Sequence, residues 1–193
     1  AASPSLSDTV RVASWNINNL NDLSGVPLRD RAPIREDNDY VLLQKYAAEL
    51  DADVIALQEM GNPAAVRRVF PEAEWEMVFS GRYDPANPPD IYTAVVVRKG
   101  RLEIVEQADY TPLQITDAEG YATRRGIELL LKSGDQTFWL LGVHMKSGCH
   151  GQALEAATTE DCNILAQQRA PLEAWVDAKE ATGLPVIIAG DFN

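Results

Sequence analysis

Basic residues are scarce in this chain: 17 lysines and arginines stand against 29 aspartates and glutamates, for a formal net charge of -12. Such a balance argues against holding nucleic acid or anionic membrane through bulk electrostatics, although it permits a local basic cleft or a cation held among carboxylates. Long apolar runs are absent as well. No stretch approaches the roughly 18 residues that a membrane-spanning helix needs. Histidine and cysteine occur twice each. Cys149, Cys162 and His150 do not fall at a zinc-finger spacing, so a zinc cluster is not expected.

What is there reads as an ordinary globular domain: 193 residues, 46% hydrophobic and 24% charged, enough for a sizeable single core. The two cysteines flank a polar, helix-friendly stretch. A disulfide between them would close a short loop and stabilise the fold by roughly 3 kcal/mol in the chain-entropy picture; two reduced structural thiols are the alternative. A disulfide favours a secreted or periplasmic location. Residues 1–8, within "AASPSLSDT", form a polar tail. It is compatible with a cleaved leader or an arbitrary chain start.

Hydrophobic periodicity organises the remainder, residues 9–193. "TVRVASWNI" reads as a buried strand, followed by a Gly- and Pro-containing loop from Asn18 to about Glu36. "DNDYVLLQKYAAEL" places Tyr40, Leu43, Ala47 and Leu50 on one helical face, with Asp37 or Asn38 as the cap. "ADVIALQE" is a second buried strand. Further strand-like runs follow in "WEMVFS", "IYTAVVVRK", "LEIVEQADY", "IELLLK" and "TFWLLGVHM", with "RKGRLE" and "KSGDQT" read as hairpin turns. A helix is expected from Asn163 to about Thr182, kinked at Pro171 or starting near Ala170, before a last strand over Pro185–Ala189.

Several of these strands end in polar residues: Asn16 and Asn18, Gln58 and Glu59, His144, Asp191 and Asn193. Strand ends of a layered sheet converge on one rim, where a site is easily built. Singly, each has an ordinary explanation as a turn or rim residue. As a set they pair carboxylates with amides and an imidazole.

These same residues carry a resemblance. "SWNIN", "ALQE", "GVHMKS" and "GDFN", in this order, resemble the endonuclease/exonuclease/phosphatase superfamily, which includes deoxyribonuclease I, apurinic/apyrimidinic endonucleases, sphingomyelinases and inositol polyphosphate phosphatases. The resemblance implies an α+β fold, a four-layer αββα sandwich of the deoxyribonuclease I-like type. It implies that Glu59, with Asn16 beside it, holds a divalent metal, Mg²⁺ first and Mn²⁺ or Ca²⁺ as alternatives. It implies that Asn16, Asn18 and Arg124 bind the substrate phosphate, Arg124 being preferred to Arg125 in "TRRG". His144, Asp191 and Asn193 would be catalytic: His144 at the scissile phosphate, Asp191 orienting water, Asn193 holding a phosphate oxygen.

A metal-dependent phosphoester hydrolase follows, with a nuclease or phosphodiesterase acting on DNA or RNA preferred to a lipid or inositol phosphatase. Relatives continue past "GDFN" to an "SDH" motif that this chain lacks. The chain is therefore expected to lack the C-terminal part of the fold, to be inactive and unstable by itself, and to be completed by a companion fragment. The alternative is a non-catalytic binding or interaction module that retains the fold.

Overall fold

The computed structural model describes residues 9–151, 153–156 and 158–193, so the polar tail over residues 1–8 lies outside it. Among the described residues the chain forms β1 (Val12–Leu20), α1 (Asp37–Leu50), β2 (Val54–Met60), α2 (Pro63–Val69), β3 (Trp75–Phe79), β4 (Tyr92–Arg98), β5 (Glu103–Tyr110), β6 (Gly126–Ser133), β7 (Gln136–His144), α3 (Glu160–Glu180) and β8 (Val186–Asp191). The strands make two four-stranded sheets, ordered β1-β2-β4-β3 and β5-β6-β7-β8. Both are mixed: β1 runs parallel to β2 and β7 parallel to β8, while the other pairings are antiparallel.

Side-chain alternation along the strands builds four layers. Val54 on β2 and Val95 and Val97 on β4 face Ile127, Leu129, Leu131 and Leu140 of the opposite sheet. The intervening Ile55, Leu57 and Val96 face outward, under Tyr40 and Ala47 of α1 and Val66 and Val69 of α2. On the far side, Leu141 and Val143 of β7 pack beneath Trp175 of α3. A strand buried on both faces needs a continuous apolar run rather than an alternating one, which is why "VIAL" and "AVVV" look as they do. Full burial of each such side chain contributes roughly 1.5–3 kcal/mol. The sheets meet closely at Gly142, where a Cβ would stand 2.9 Å from Cγ2 of Val95. This is the expected αββα sandwich.

Four local expectations are corrected. "RKGRLE" does not close a hairpin: β4 and β5 belong to different sheets, and the turn hands the chain across the sandwich. Its residues suit either use, and the sequence alone does not separate them. "KSGDQT" is a true hairpin turn, pairing Ser133 with Gln136. The cap of α1 is Glu36 rather than Asp37 or Asn38; its backbone N–H donates to the Asp39 carboxylate at 2.8 Å. Leu50, at the end of that helix, is 38% exposed.

The last helix begins at Glu160, earlier than expected, and continues through Pro171. Proline removes an N–H from the helix interior. However, the first half of α3 is anchored by the Cys149–Cys162 disulfide and by the Thr159 cap, which accepts from the Cys162 N–H at 3.4 Å. The unforeseen α2 is short. Asn62 caps it, accepting from the Ala65 N–H at 2.7 Å, and Pro63 occupies its first turn.

Candidate active site

Two parallel strand pairs, one in each sheet, deliver their ends to the same rim. In one, Asn16 lies in register with Gln58; in the other, His144 lies in register with Asp191. The pairing of β2 then breaks into a bulge, and Glu59 adopts a left-handed backbone with φ 64°. A bulge re-aims side chains. Left-handed backbone at a non-glycine residue costs on the order of 1–3 kcal/mol and collects at functional sites. Here it turns Glu59 out to the rim while Gln58 stays buried, accepting the Ser14 hydroxyl at 3.3 Å.

One amide joins the sheets. Nδ2 of Asn16 donates to Oε1 of Glu59 and to Oδ2 of Asp191, both at 3.0 Å. Its Oδ1 accepts the Asn18 N–H at 2.9 Å. The other Glu59 oxygen, Oε2, accepts from the backbone N–H and the side-chain amide of Asn19 at 3.0 and 2.7 Å. Oδ1 of Asp191 accepts the Asn193 N–H at 3.1 Å. Both carboxylates are thus held by neutral donors, leaving their charge available to a cation or a polarised water.

Positive charge stands on the other flank. Arg124 donates from Nη2 to the Met145 carbonyl at 2.8 Å, and Asn193 donates to the same oxygen from Nδ2 at 3.1 Å. Burial lowers the Arg124 pKa to about 10, which leaves the guanidinium charged at neutral pH. His144 is 5% exposed, and burial, aided by the nearby Arg124 charge and opposed by Asp191, lowers its pKa to about 3. The imidazole is therefore neutral. Among the described residues, Nδ1 of His144 and Nε of Arg124 are buried without a hydrogen-bond partner. Buried polar atoms without partners call for an explanation, and an anionic ligand would supply one for the Arg124 N–H.

The family model for the endonuclease/exonuclease/phosphatase family matches residues 13–193. The chain belongs to this family. No curated protein matches it. Solved structures that resemble it include D. rerio TDP2 complexed with a single-strand DNA product (21% identity, TM-score 0.59, 95% of this chain and 60% of that one). Another is the human nocturnin catalytic domain with a bound sulfate anion (18%, 0.61, 95% and 64%). A third is the Bacteroides thetaiotaomicron mannosyl-6-phosphatase Bt3783 (18%, 0.62, 96% and 66%). At these identities the likeness concerns the fold. The chain spans less than two thirds of the length of these structures, between 60% and 66%.

Within this family frame, the structure gathers Asn16, Glu59, His144, Asp191, Asn193 and Arg124 at one rim. Asn18 sits beside them, exposed, with its side-chain oxygen accepting from Asn19 at 2.9 Å. Arg125 turns elsewhere, to an ion pair with Asp109 at 3.1 Å. Cys149 and Cys162 form a disulfide next to the loop that follows β7.

Sequence reasoning missed Asn19, which touches Glu59 directly because Asn18 and Asn19 are both left-handed and the strand's alternation fails there. It also missed Arg29, whose Nε donates to the side-chain oxygen Oδ1 of Asn19 at 2.5 Å, and Arg35, which donates to the backbone carbonyls of Ile17 and Asn18 at 2.7 and 3.0 Å. Nothing in their sequence neighbourhood announces either arginine.

The donor chemistry fits a small hard cation. Few carboxylate oxygens are offered, and among the described residues no three His, Cys, Asp or Glu side chains form a closed cluster. A Mg²⁺ ion takes hard oxygen ligands and retains several waters; Glu59, with Asn16 beside it, would be the residue to hold one.

Proposed function

We propose that the protein is a metal-dependent phosphoester hydrolase of the nuclease or phosphodiesterase kind, acting on DNA or RNA. One observation carries this reading: two carboxylates from opposite sheets, joined by the Asn16 amide, stand near a half-buried charged guanidinium and a buried neutral imidazole. Phosphoryl transfer to water requires charge and donors where the phosphate oxygens gain charge. Arg124 supplies charge, and Asn193 and neutral His144 supply donors; Asn16, expected as a donor to phosphate, instead gives both amide hydrogens to Glu59 and Asp191. Glu59, with Asn16 beside it, would hold Mg²⁺, with Mn²⁺ or Ca²⁺ as substitutes; such an ion contributes electrostatic stabilisation of the phosphate when bound. Asp191 orients the attacking water. The DNA product seen with D. rerio TDP2 and the activity named for Bt3783 are consistent with phosphoester substrates of differing size.

Two further parts of the reading rest on the fold. β1 and β8 are each one of the two edge strands of their sheets, the others being β3 and β5, and carry Val12, Ala13, Val186, Ile187 and Ile188 half-buried. Open apolar edges invite pairing, and further polypeptide, continuous or supplied as a companion fragment, would cover them and bring the remaining catalytic groups. The disulfide supports an oxidising location, secreted or periplasmic.

The test is hydrolysis of bis(p-nitrophenyl) phosphate and nicking of plasmid DNA with and without Mg²⁺, for this chain alone and with the companion polypeptide. Glu59→Gln should lower turnover on the order of 100-fold or more while leaving the circular dichroism spectrum unchanged. Undiminished activity of that variant would refute the assignment.

A further inference from the structure

Gln168 lies on α3 with 0% exposure, and its amide reaches three separate segments. Oε1 accepts the Lys146 N–H at 2.8 Å, in the loop that leaves β7. Nε2 donates to the Leu113 carbonyl at 2.7 Å and to the Thr123 hydroxyl oxygen at 3.2 Å. That hydroxyl donates to the same Leu113 carbonyl and accepts the Ile115 N–H, each at 2.8 Å. Thr123 immediately precedes Arg124.

The decisive geometry concerns one peptide unit. The N–H that Gln168 holds and the carbonyl that receives both Arg124 and Asn193 belong to the same Met145–Lys146 peptide. A trans peptide is planar, with its N–H and C=O pointing in opposite directions. Fixing one therefore aims the other. Docking of α3 does not depend on this contact, since the Cys149–Cys162 disulfide and the Lys146–Asp161 ion pair already fasten the helix to that loop.

We infer that Gln168 is a positioning residue: it orients Arg124 and Asn193 through the Met145–Lys146 peptide, and fixes Arg124 a second time through Thr123. The geometry stands by itself, and the statement that these groups handle phosphate rests on the function proposed above.

The test uses the full chain with Mg²⁺, bis(p-nitrophenyl) phosphate for turnover, and inorganic phosphate for binding, followed by phosphorus NMR. Gln168→Met keeps the side chain's length and removes its hydrogen bonds; kcat/KM and phosphate affinity should each fall about 10- to 100-fold. In an Arg124→Ala background the same change should cost several-fold less than in wild type, because one of the two groups it aims is gone. Gln168→Glu adds a signature that packing alone would not give. A buried carboxyl stays neutral well above its ordinary range, and the neutral form keeps the acceptor for the Lys146 N–H and one donor for the Leu113 carbonyl. Its activity relative to wild type should therefore be restored in acid and lost as pH rises. Trp175→Phe, elsewhere on α3, controls for stability and should lower Tm without changing kcat/KM.

Wild-type kcat/KM and phosphate affinity in Gln168→Met, an undiminished penalty in the Arg124→Ala background, or a pH-independent activity ratio for Gln168→Glu would each overturn the inference. If Gln168→Met does not fold, Gln168→Glu and Thr123→Val carry the same comparisons, the latter with a loss of about 10-fold. If wild type turns over nothing, either alone or with the companion polypeptide, the hydrolase reading fails separately and phosphate decides: binding that needs Arg124 and weakens in Gln168→Met sustains the positioning role. Binding that is absent or indifferent to Gln168 refutes it.

Discussion

His144 shows how burial alone sets a side chain's chemistry. Its pKa is about 3 in the fold against 6.5 for an ordinary histidine, chiefly because the charged form loses its hydration. Between those values the unfolded chain takes up a proton that the folded chain refuses, so stability present above pH 6.5 is lost as the pH falls toward 3. His144→Gln cannot titrate, and its melting temperature should fall less than wild type's across that window. A parallel acid-side decline in both proteins would show that the buried imidazole is not the cause. Asn16 and Glu59 make the complementary point. Their types and places were legible in "SWNIN" and "ALQE", but not that a single NH₂ group would serve two carboxylates, since that depends on a partner on the other sheet.

At the level of elements, the strands and both long helices were readable because apolar periodicity reports burial directly. What escaped was anything fixed by distant contacts or by a change of backbone hand. The left-handed pair Asn18 and Asn19 reverses which asparagine meets Glu59, and the Lys99–Gly100 turn crosses between sheets instead of closing a hairpin. Gln168 gave no signal, since its partners lie far away in sequence.

Two elements yield tests. Replacing both cysteines with serine should destabilise the fold by roughly 2–4 kcal/mol, read from urea unfolding of oxidised protein; an unchanged midpoint would leave the disulfide without a stabilising role. Gly190, on β8, allows a close approach to β7, since a Cβ there would stand 2.1 Å from the Val143 carbonyl oxygen. Gly190→Ala should therefore push β8 off β7 and lower Tm by more than the few degrees typical of a surface change.

The whole molecule is a sandwich with its working groups along one rim and open edges at β1 and β8. Edge strands with half-buried valine and isoleucine self-associate unless covered. Sedimentation of the 193-residue chain should show concentration-dependent association; a clean monomer at all concentrations would mean that these edges need no cover. The acidic surface belongs to this scale too. With a net charge of -12, association with DNA would rest on local groups such as Arg29 and Arg124 and should be weak and salt-sensitive.

Gly142 lies two residues before His144, in the dry space between the sheets, where Val95 approaches within 2.9 Å of where a side chain would begin. Glu59 rides on one sheet and Asp191 on the other, so the sheets act as the jaws of a pair of pliers, with this narrow contact near the pivot. A methyl group added there would spread the jaws without touching any charged group. Under the function proposed above, the spacing of Glu59 and Asp191 across the rim would depend on an interior contact that no substrate meets.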